Sequence, residues 1–367
     1  MSNALNQAVY LGMSWTWCIG MFLPVLLIRD YGPWAWWVFA IPNVLGAAAM
    51  GWVIRSPEHS VAYVKNHETA IRLFSTATVA FQVFFAIWMC SYMLGLLGLI
   101  VFLGGLVGFS TFARGSLAPM CCAAVMLTSL VLWVISSNHL IYPPAIVAPS
   151  VNLIWLSLSC AAGFLTCPYL DITFHHARQQ CASRTESKIA FGIGFGVFFL
   201  SMIIFTLLYA TNAMTSAALA KYLAIHIALQ TSLTCALHTQ AEQTLPPARL
   251  WHRIVTAVAW LVAIVLGMGL IINGIFVAPD RETTYRCFMA FYGLIFPAYV
   301  IIHLRAGQRK HWLLLAATVA LAGPMFYAAF IAKQMIWLLP GVATLGVAYI
   351  AADVIRKKFP AGKPAGR

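Results

Sequence analysis

Between Leu73 and Ala113 the chain carries no charged residue. As one α-helix that run would be about 60 Å long, roughly twice the hydrocarbon core of a bilayer. It is therefore read as two crossings, with Gly95 and Gly98 marking a tight turn between them. A water-soluble fold is excluded by composition. Hydrophobic residues make up 62% of the chain and charged residues 8%, against roughly 25% charged in soluble domains. The apolar runs are about 20 residues long and do not alternate, which indicates helices. A membrane barrel would show alternating segments of about ten residues.

The pattern predicts an all-α integral membrane protein with about twelve spans. The first six are Ala8 to Ile28, Pro33 to Ile54, Ala70 to Gly95, Leu96 to Phe112, Ser116 to Asn138 and Ala148 to Leu170. The second six are Ile189 to Ala210, Ala217 to Gln240, Ile254 to Val277, Thr283 to Leu304, Trp312 to Ala332 and Met335 to Ile355. With this division seventeen Lys and Arg residues fall on one side and five on the other. Basic residues collect on the cytoplasmic side, so both termini are expected there, and the net charge of +13 is a topology signal, not a nucleic-acid footprint. The basic residues after Ile355 read as a solvated tail, with a headgroup contact as the alternative. The first apolar run has no basic leader and no small-residue cleavage site, so no cleaved signal peptide is expected. No loop has room for a soluble domain and no GxxxxGK[ST] phosphate loop occurs, which argues against ATP-driven transport. Seven of the nine cysteines lie in apolar runs without CxxC spacing and read as packing residues.

Three segments break the pattern of plain apolar helices. In the first span Gly12 and Gly20 flank Ser14 and Thr16, and Pro24 follows. Trp15 and Trp17 lie about 200° apart on a regular helix, so either the helix unwinds or one ring faces lipid. In the sixth span Gly163 and Pro168 weaken the helix ahead of Asp171. Broken helices expose unpaired carbonyls, tolerated at membrane depth only where protein or a wet cavity satisfies them, and transporters use such breaks as sites. Asp171 is read either as a ligand or as the partner of a nearby base among His175, His176 and Arg178. The eighth span carries Gln230, Thr231, Ser232, Thr234 and His238. Its hydroxyls suit helix packing or the neutral oxygen shell of a monovalent cation. Asp171 and His175 stand four residues apart but are too few for a metal site, and no HExxH pattern occurs. His226 and His238 are candidates to carry protons or to bind haem, on the sole ground of spaced histidines in one helix.

Together these segments resemble the sodium:solute symporter family, within the group that shares the leucine-transporter fold. The resemblance rests on Cys18-Ile19-Gly20-Met21 followed by Asp30-Tyr31-Gly32-Pro33, on Gly163-Phe164 with Pro168 and Phe174, and on Ala228, Thr231, Ser232, Leu233, Ala236 and Leu237. It implies two inverted repeats of five helices, residues 1–138 and 139–304, with helices one and six broken and residues 305–367 adding two peripheral helices and the tail. It also implies a sodium site made by the carbonyls of Tyr10, Met13 and Ala228 and the hydroxyls of Thr231 and Ser232. A solute would sit near Ser14, Thr16, Trp17, Phe164, Cys167 and Tyr169. The family's Gln and Arg near the second break are Cys167 and Thr173 here, so the substrate class does not carry over.

The expectation is a cation-coupled symporter, sodium being the ion, for a small solute in a bacterial inner membrane, with no other cofactor or metal. The alternative is a sensor or a scaffold subunit of a membrane complex, which could fill the central cavity with bulky side chains. No convergent catalytic set is present, so an enzyme is not expected. Partners are lipid and solute; homo- or hetero-oligomers stay open.

Overall fold

The computed structural model describes residues 3–136, 151–210, 217–269, 281–306 and 311–358. The span ends predicted at Asn138, Ala148 and Val277, the repeat boundary at 138/139, the loop residue Asp280 and the bases Arg309, Lys310, Lys363 and Arg367 lie outside them. Among the described residues every regular element is helical. Nine helices are long and apolar enough to cross a membrane, ten if one bent pair counts as a single span.

That bent pair is α1 (Asn3–Ser14) and α2 (Cys18–Tyr31), which meet at 53°. The predicted break at Gly12 to Thr16 falls slightly later, at Trp15 to Trp17. Gly12 stays helical for a packing reason. A Cβ there would lie 2.7 Å from Phe198 Cβ and 2.9 Å from the Gly194 carbonyl. Gly12 thus admits a neighbouring helix to its own backbone, and the chain unwinds a turn further on. Pro24 is absorbed within α2.

Next come α3 (Trp34–Val53) and α4 (Pro57–Phe112). α4 is non-helical at His67 and at Gly95, where φ is 61°. A Cβ on Gly98 would collide with the Cys90 carbonyl oxygen. Residues eight apart in a straight helix stand about 12 Å apart along the axis, so the chain reverses at Gly95. That is the position at which the sequence places the turn. Only glycine adopts this φ without strain, and only glycine fits the close approach at residue 98.

The remaining helices are α5 (Ala118–Ser136), α6 (Asn152–Thr166), α7 (Ile172–Gln180), α8 (Arg184–Ile193), α9 (Leu200–Tyr209), α10 (Ala217–Gln243), α11 (Leu250–Gly269), α12 (Arg281–Ala306), α13 (Trp312–Phe330) and α14 (Leu338–Lys358). A π-helical stretch, Gly194–Phe199, joins α8 to α9. α10 is long enough to span but is not among the nine, because its polar residues lower its hydropathy.

The helices form two compact units: Met1–Pro149 with Asp171–Arg281, and Ser150–Leu170 with Glu282–Arg367. In the larger unit α10 packs along α4, and α1 lies against α5, α7, α8, the π-helical stretch and α10. Its outer surface is apolar. On α11 Leu250, Ile254, Val258, Leu261 and Val265 are exposed, as a lipid-facing stripe requires. In the smaller unit α6 and α13 pack on α14, and Phe326 of α13 fills the space beside Gly293 and Gly341. Arg286 reaches Glu282 one turn back at 2.8 Å.

Candidate functional site

Unwinding α1 takes the carbonyls of Met13 and Thr16 out of the regular helical ladder, Met13 O keeping only a 3.3 Å bond from Thr16 N. Two residues of α10 supply donors. The Gln230 side-chain amide donates to Met13 O at 2.8 Å and to Thr16 O at 3.1 Å. The Thr234 hydroxyl, one turn along, lies 3.3 Å and 3.4 Å from the same two oxygens. On the other side of the break the Cys18 N–H, in the first turn of α2, donates to Gln82 Oε1 of α4 at 3.1 Å. Two glutamines thus cap the two broken ends, each acting as a surrogate peptide group. Their partners set the amide orientations, since carbonyls demand the NH2 of Gln230 and an N–H demands the oxygen of Gln82. Among the described residues Gln230 Oε1 and Gln82 Nε2 have no hydrogen-bond partner although both side chains are buried.

The unwound stretch is also held by rings. Trp17 Nε1 donates to Ser14 O at 2.8 Å and Trp15 Nε1 to Asn43 Oδ1 at 2.7 Å. Both tryptophans are buried, 4.5 Å apart at their centroids, so the unwinding resolves the 200° separation and neither ring faces lipid. Phe174 lies 4.9 Å from Trp15, and Phe74 lies 5.3 Å from Trp17.

Asp171 caps α7. Its Oδ1 accepts from Thr173 N at 2.7 Å and from the Thr173 hydroxyl at 2.6 Å. The same hydroxyl oxygen is 3.0 Å from Ser14 Oγ on α1. The bases expected beside Asp171 are engaged elsewhere. Arg178 donates to the carbonyls of Ile54, Arg55 and Cys181. His175 pairs with Ser60 Oγ at 3.0 Å and stacks on Tyr63. His176 packs on Tyr10. The group that faces Asp171 is His238 of α10, whose Nε2 is 3.6 Å from Oδ2. Its ring lies edge-on to Trp17.

Of the residues expected to hold sodium, Thr231 Oγ1 and Ser232 Oγ meet at the Ala228 carbonyl, at 3.3 Å and 2.5 Å, while Met13 and Tyr10 are engaged elsewhere. Met13 O meets Gln230 and Thr234. Thr231 Oγ1 donates to Ile227 O at 2.6 Å, within its own helix. Ser232 Oγ lies 2.8 Å from Phe102 O and 2.5 Å from Ala228 O, facing α4, about 200° around α10 from Gln230. Tyr10 lies inside α1, its ring on His176. Of the expected solute contacts, Ser14, Thr16 and Trp17 line the break, with the Thr16 hydroxyl turned back to Gly12 O at 2.7 Å. In the smaller unit Cys167 Sγ is 4.0 Å from Tyr292 O. There α6 ends at Thr166 and runs into a 3-10 turn, Cys167–Leu170, that holds Pro168, Tyr169 and, just before it, Phe164 in the last turn of α6. The expected break at Gly163 to Pro168 is thus a helix end at 167, with Gly163 still helical.

A cavity of about 370 Å³ with polar groups in its wall opens in the larger unit beside Gln7, Tyr10, Arg114, His176, Gln180 and Gln240. Among the described residues no carboxylate lines it. Cys181, between α7 and α8, is buried, and burial pushes its thiol up to about 11. Among the described residues no cluster of three metal-ligating side chains occurs. Reading the sequence missed the roles of Gln82, Gln230 and Asn43. The available signal was a carboxamide inside an apolar run, which marks a buried partner without naming it.

A scan against family models found no match, and searches of curated proteins and of solved structures found none either.

Proposed function

We propose that this chain is a secondary transporter of a small polar solute, driven by a cation gradient. The observation that supports this most is the pair of carbonyls, Met13 and Thr16, taken out of the helical ladder by a break in a buried helix and held by neutral side chains of another helix. An all-apolar span would make a simpler anchor, and unsatisfied backbone at membrane depth costs several kcal/mol per group. The cavity beside Tyr10 and His176 suits a neutral or anionic solute, because amides and Arg114 line it and, among the described residues, no carboxylate does.

On this reading the chain crosses the membrane twelve times. The bent pair counts once, α4 counts twice because it reverses at Gly95, and α10 is included. Both termini are cytoplasmic and the membrane is a bacterial inner membrane. The repeat is the five-plus-five inverted one of the sodium:solute symporters, sodium is the ion that resemblance implies, and no enzymatic step is involved. Thr231 and Ala228 would join such a site only after α10 and the break shift relative to each other.

A second reading has its own support. Trp15, Trp17, Phe74, Phe174 and His238 crowd the break, as a sensor or scaffold with a filled centre would require.

Thermal stability of the purified protein, measured against neutral and anionic polar solutes with and without sodium, separates the two. A transporter is stabilised by at least one solute, and Gln180→Ala with Arg114→Ala weakens that effect. No stabilisation by any solute, with or without sodium, favours the scaffold.

A further inference from the structure

The Asp171 and His238 side chains are both fully buried. Asp171 Oδ1 is doubly satisfied, whereas Oδ2 has no hydrogen-bond donor among the described residues. The His238 ring lies within reach of the Ser14 backbone and of the Asp171 carboxylate, but neither ring nitrogen makes a well-formed hydrogen bond among the described residues. Among the described residues the facing atoms of this pair thus lack well-formed hydrogen bonds in the interior, where more than nine in ten buried polar groups are paired. Nε2 and Oδ2 stand 3.6 Å apart, just beyond hydrogen-bond length. One proton would complete the contact.

Other charged groups do not supply the missing partner. On α10 Glu242, one turn beyond His238, is held by Arg72 at 3.1 Å and His252 at 3.0 Å. Arg72 on α4 is shared among Glu68, Glu242 and the Pro246 carbonyl. On α7 His175, His176 and Arg178 are engaged as described above. On α1 Tyr10 is within electrostatic reach of Asp171 and of Cys122 on α5, and neither brings a positive charge. With His238 neutral and Asp171 ionised, the pair buries one uncompensated negative charge, an arrangement whose cost runs to several kcal/mol.

We propose that Asp171 and His238 form a proton-binding site that locks the α1/α2 break. This inference rests on the transporter reading and names a proton as its regulating or coupling ion. The proton binds His238, and an Nε2–H···Oδ2 bond forms between imidazolium and carboxylate, leaving the pair neutral. Asp171 then holds Thr173 at Ser14, and α7 and α10 grip the break from two sides. On release the proton passes to solvent by way of the cavity walled by Tyr10 and His176, which stand about one helical turn from Ser14 and Thr173. The ionised carboxylate then needs hydration, and the break is the element that must move to admit water. The site lies about two helical turns along α10 from Thr231, on the same face, and on a different face from Ser232.

Two measurements on the full-length protein test this without a solute. The first is the ring-nitrogen NMR signal of isotope-labelled histidines between pH 5 and 9, with His238→Gln identifying the His238 signal. The second is hydrogen exchange of the segment from Met13 to Cys18 over the same range. It is read as the ratio of wild type to Asp171→Asn, which cancels the intrinsic pH dependence of exchange. Asn keeps the α7 cap, so the variant folds. The expected result is a His238 titration whose midpoint moves by about one pH unit or more in Asp171→Asn, and an exchange ratio that changes about tenfold as the proton leaves. A His238 ring that stays in one state throughout, or an exchange ratio flat across the range, overturns the proposal. The transporter reading fails independently, through the absence of any stabilising solute.

Discussion

The two helix interruptions solve the same problem in different ways. Between α1 and α2, the backbone groups of Met13, Thr16 and Cys18 are met by Gln230, Thr234 and Gln82, residues distant in the chain that arrive from two other helices. Between α6 and α7 the solution is local. Thr166 Oγ1 turns back to Ala162 O at 2.6 Å, a 3-10 turn carries Pro168, and Asp171 caps α7 through Thr173 N. A locally capped break needs no neighbour to stay formed. A break stitched by remote side chains exists only while those helices are in place, so relative motion of α4, α10 and the break changes its backbone pairing. That dependence is what a gate requires.

The largest effect is expected from Gln230→Leu. It deprives the Met13 and Thr16 carbonyls of their strongest donor while keeping volume, and should destabilise by about 2–4 kcal/mol. Thermal unfolding in detergent measures this. Gln82→Leu removes one acceptor from one N–H and should cost about 1–3 kcal/mol. If both variants unfold like wild type, the stitched break is not a structural element.

The second break tests the other half of the comparison. Asp171→Ala removes a local cap and should cost about 1 kcal/mol, with Asp171→Asn restoring most of it. Ser232→Ala and Thr231→Ala remove hydroxyls bonded to backbone carbonyls that already have helical partners. Each should change stability by less than about 1 kcal/mol. Their informative readout is sodium-dependent stabilisation, which the double variant should abolish if the ion site forms in another state of the protein. Pro168→Ala should be the mildest, since it removes a helix breaker from a turn that is hydrogen-bonded on either side.

The same comparison explains what could be read from residues alone. Helix content, the reversal at Gly95 and the interruption near Pro168 depend on neighbours in sequence: a charge-free run too long for one crossing, a glycine at the turn, a proline near a helix end. The site depends on pairs far apart in the chain. Gln230 could be seen to need a partner; the resemblance set Met13 beside its neighbours Ala228, Thr231 and Ser232, but did not single out Gln230 itself. Asp171 could be seen to need a base, and the nearby His175, His176 and Arg178 were the obvious choices. Arg178 is instead drawn to three backbone carbonyls at the ends of α3 and α7, which leaves His238. Gly12 looked like a helix breaker because an isolated glycine signals flexibility equally with close approach. Only the position of Phe198 and Gly194 distinguishes the two.

Hydrogen exchange in Gln230→Leu compares the two breaks most directly, followed separately over residues 13–18 and 167–172. Loss of the remote stitch should raise exchange of the first segment at least about tenfold, equivalent to about 1.4 kcal/mol of local stability. It should leave the second segment within about twofold of wild type. Equal acceleration of both segments, or no change in the first, would contradict the claim that α10 holds the α1/α2 break open.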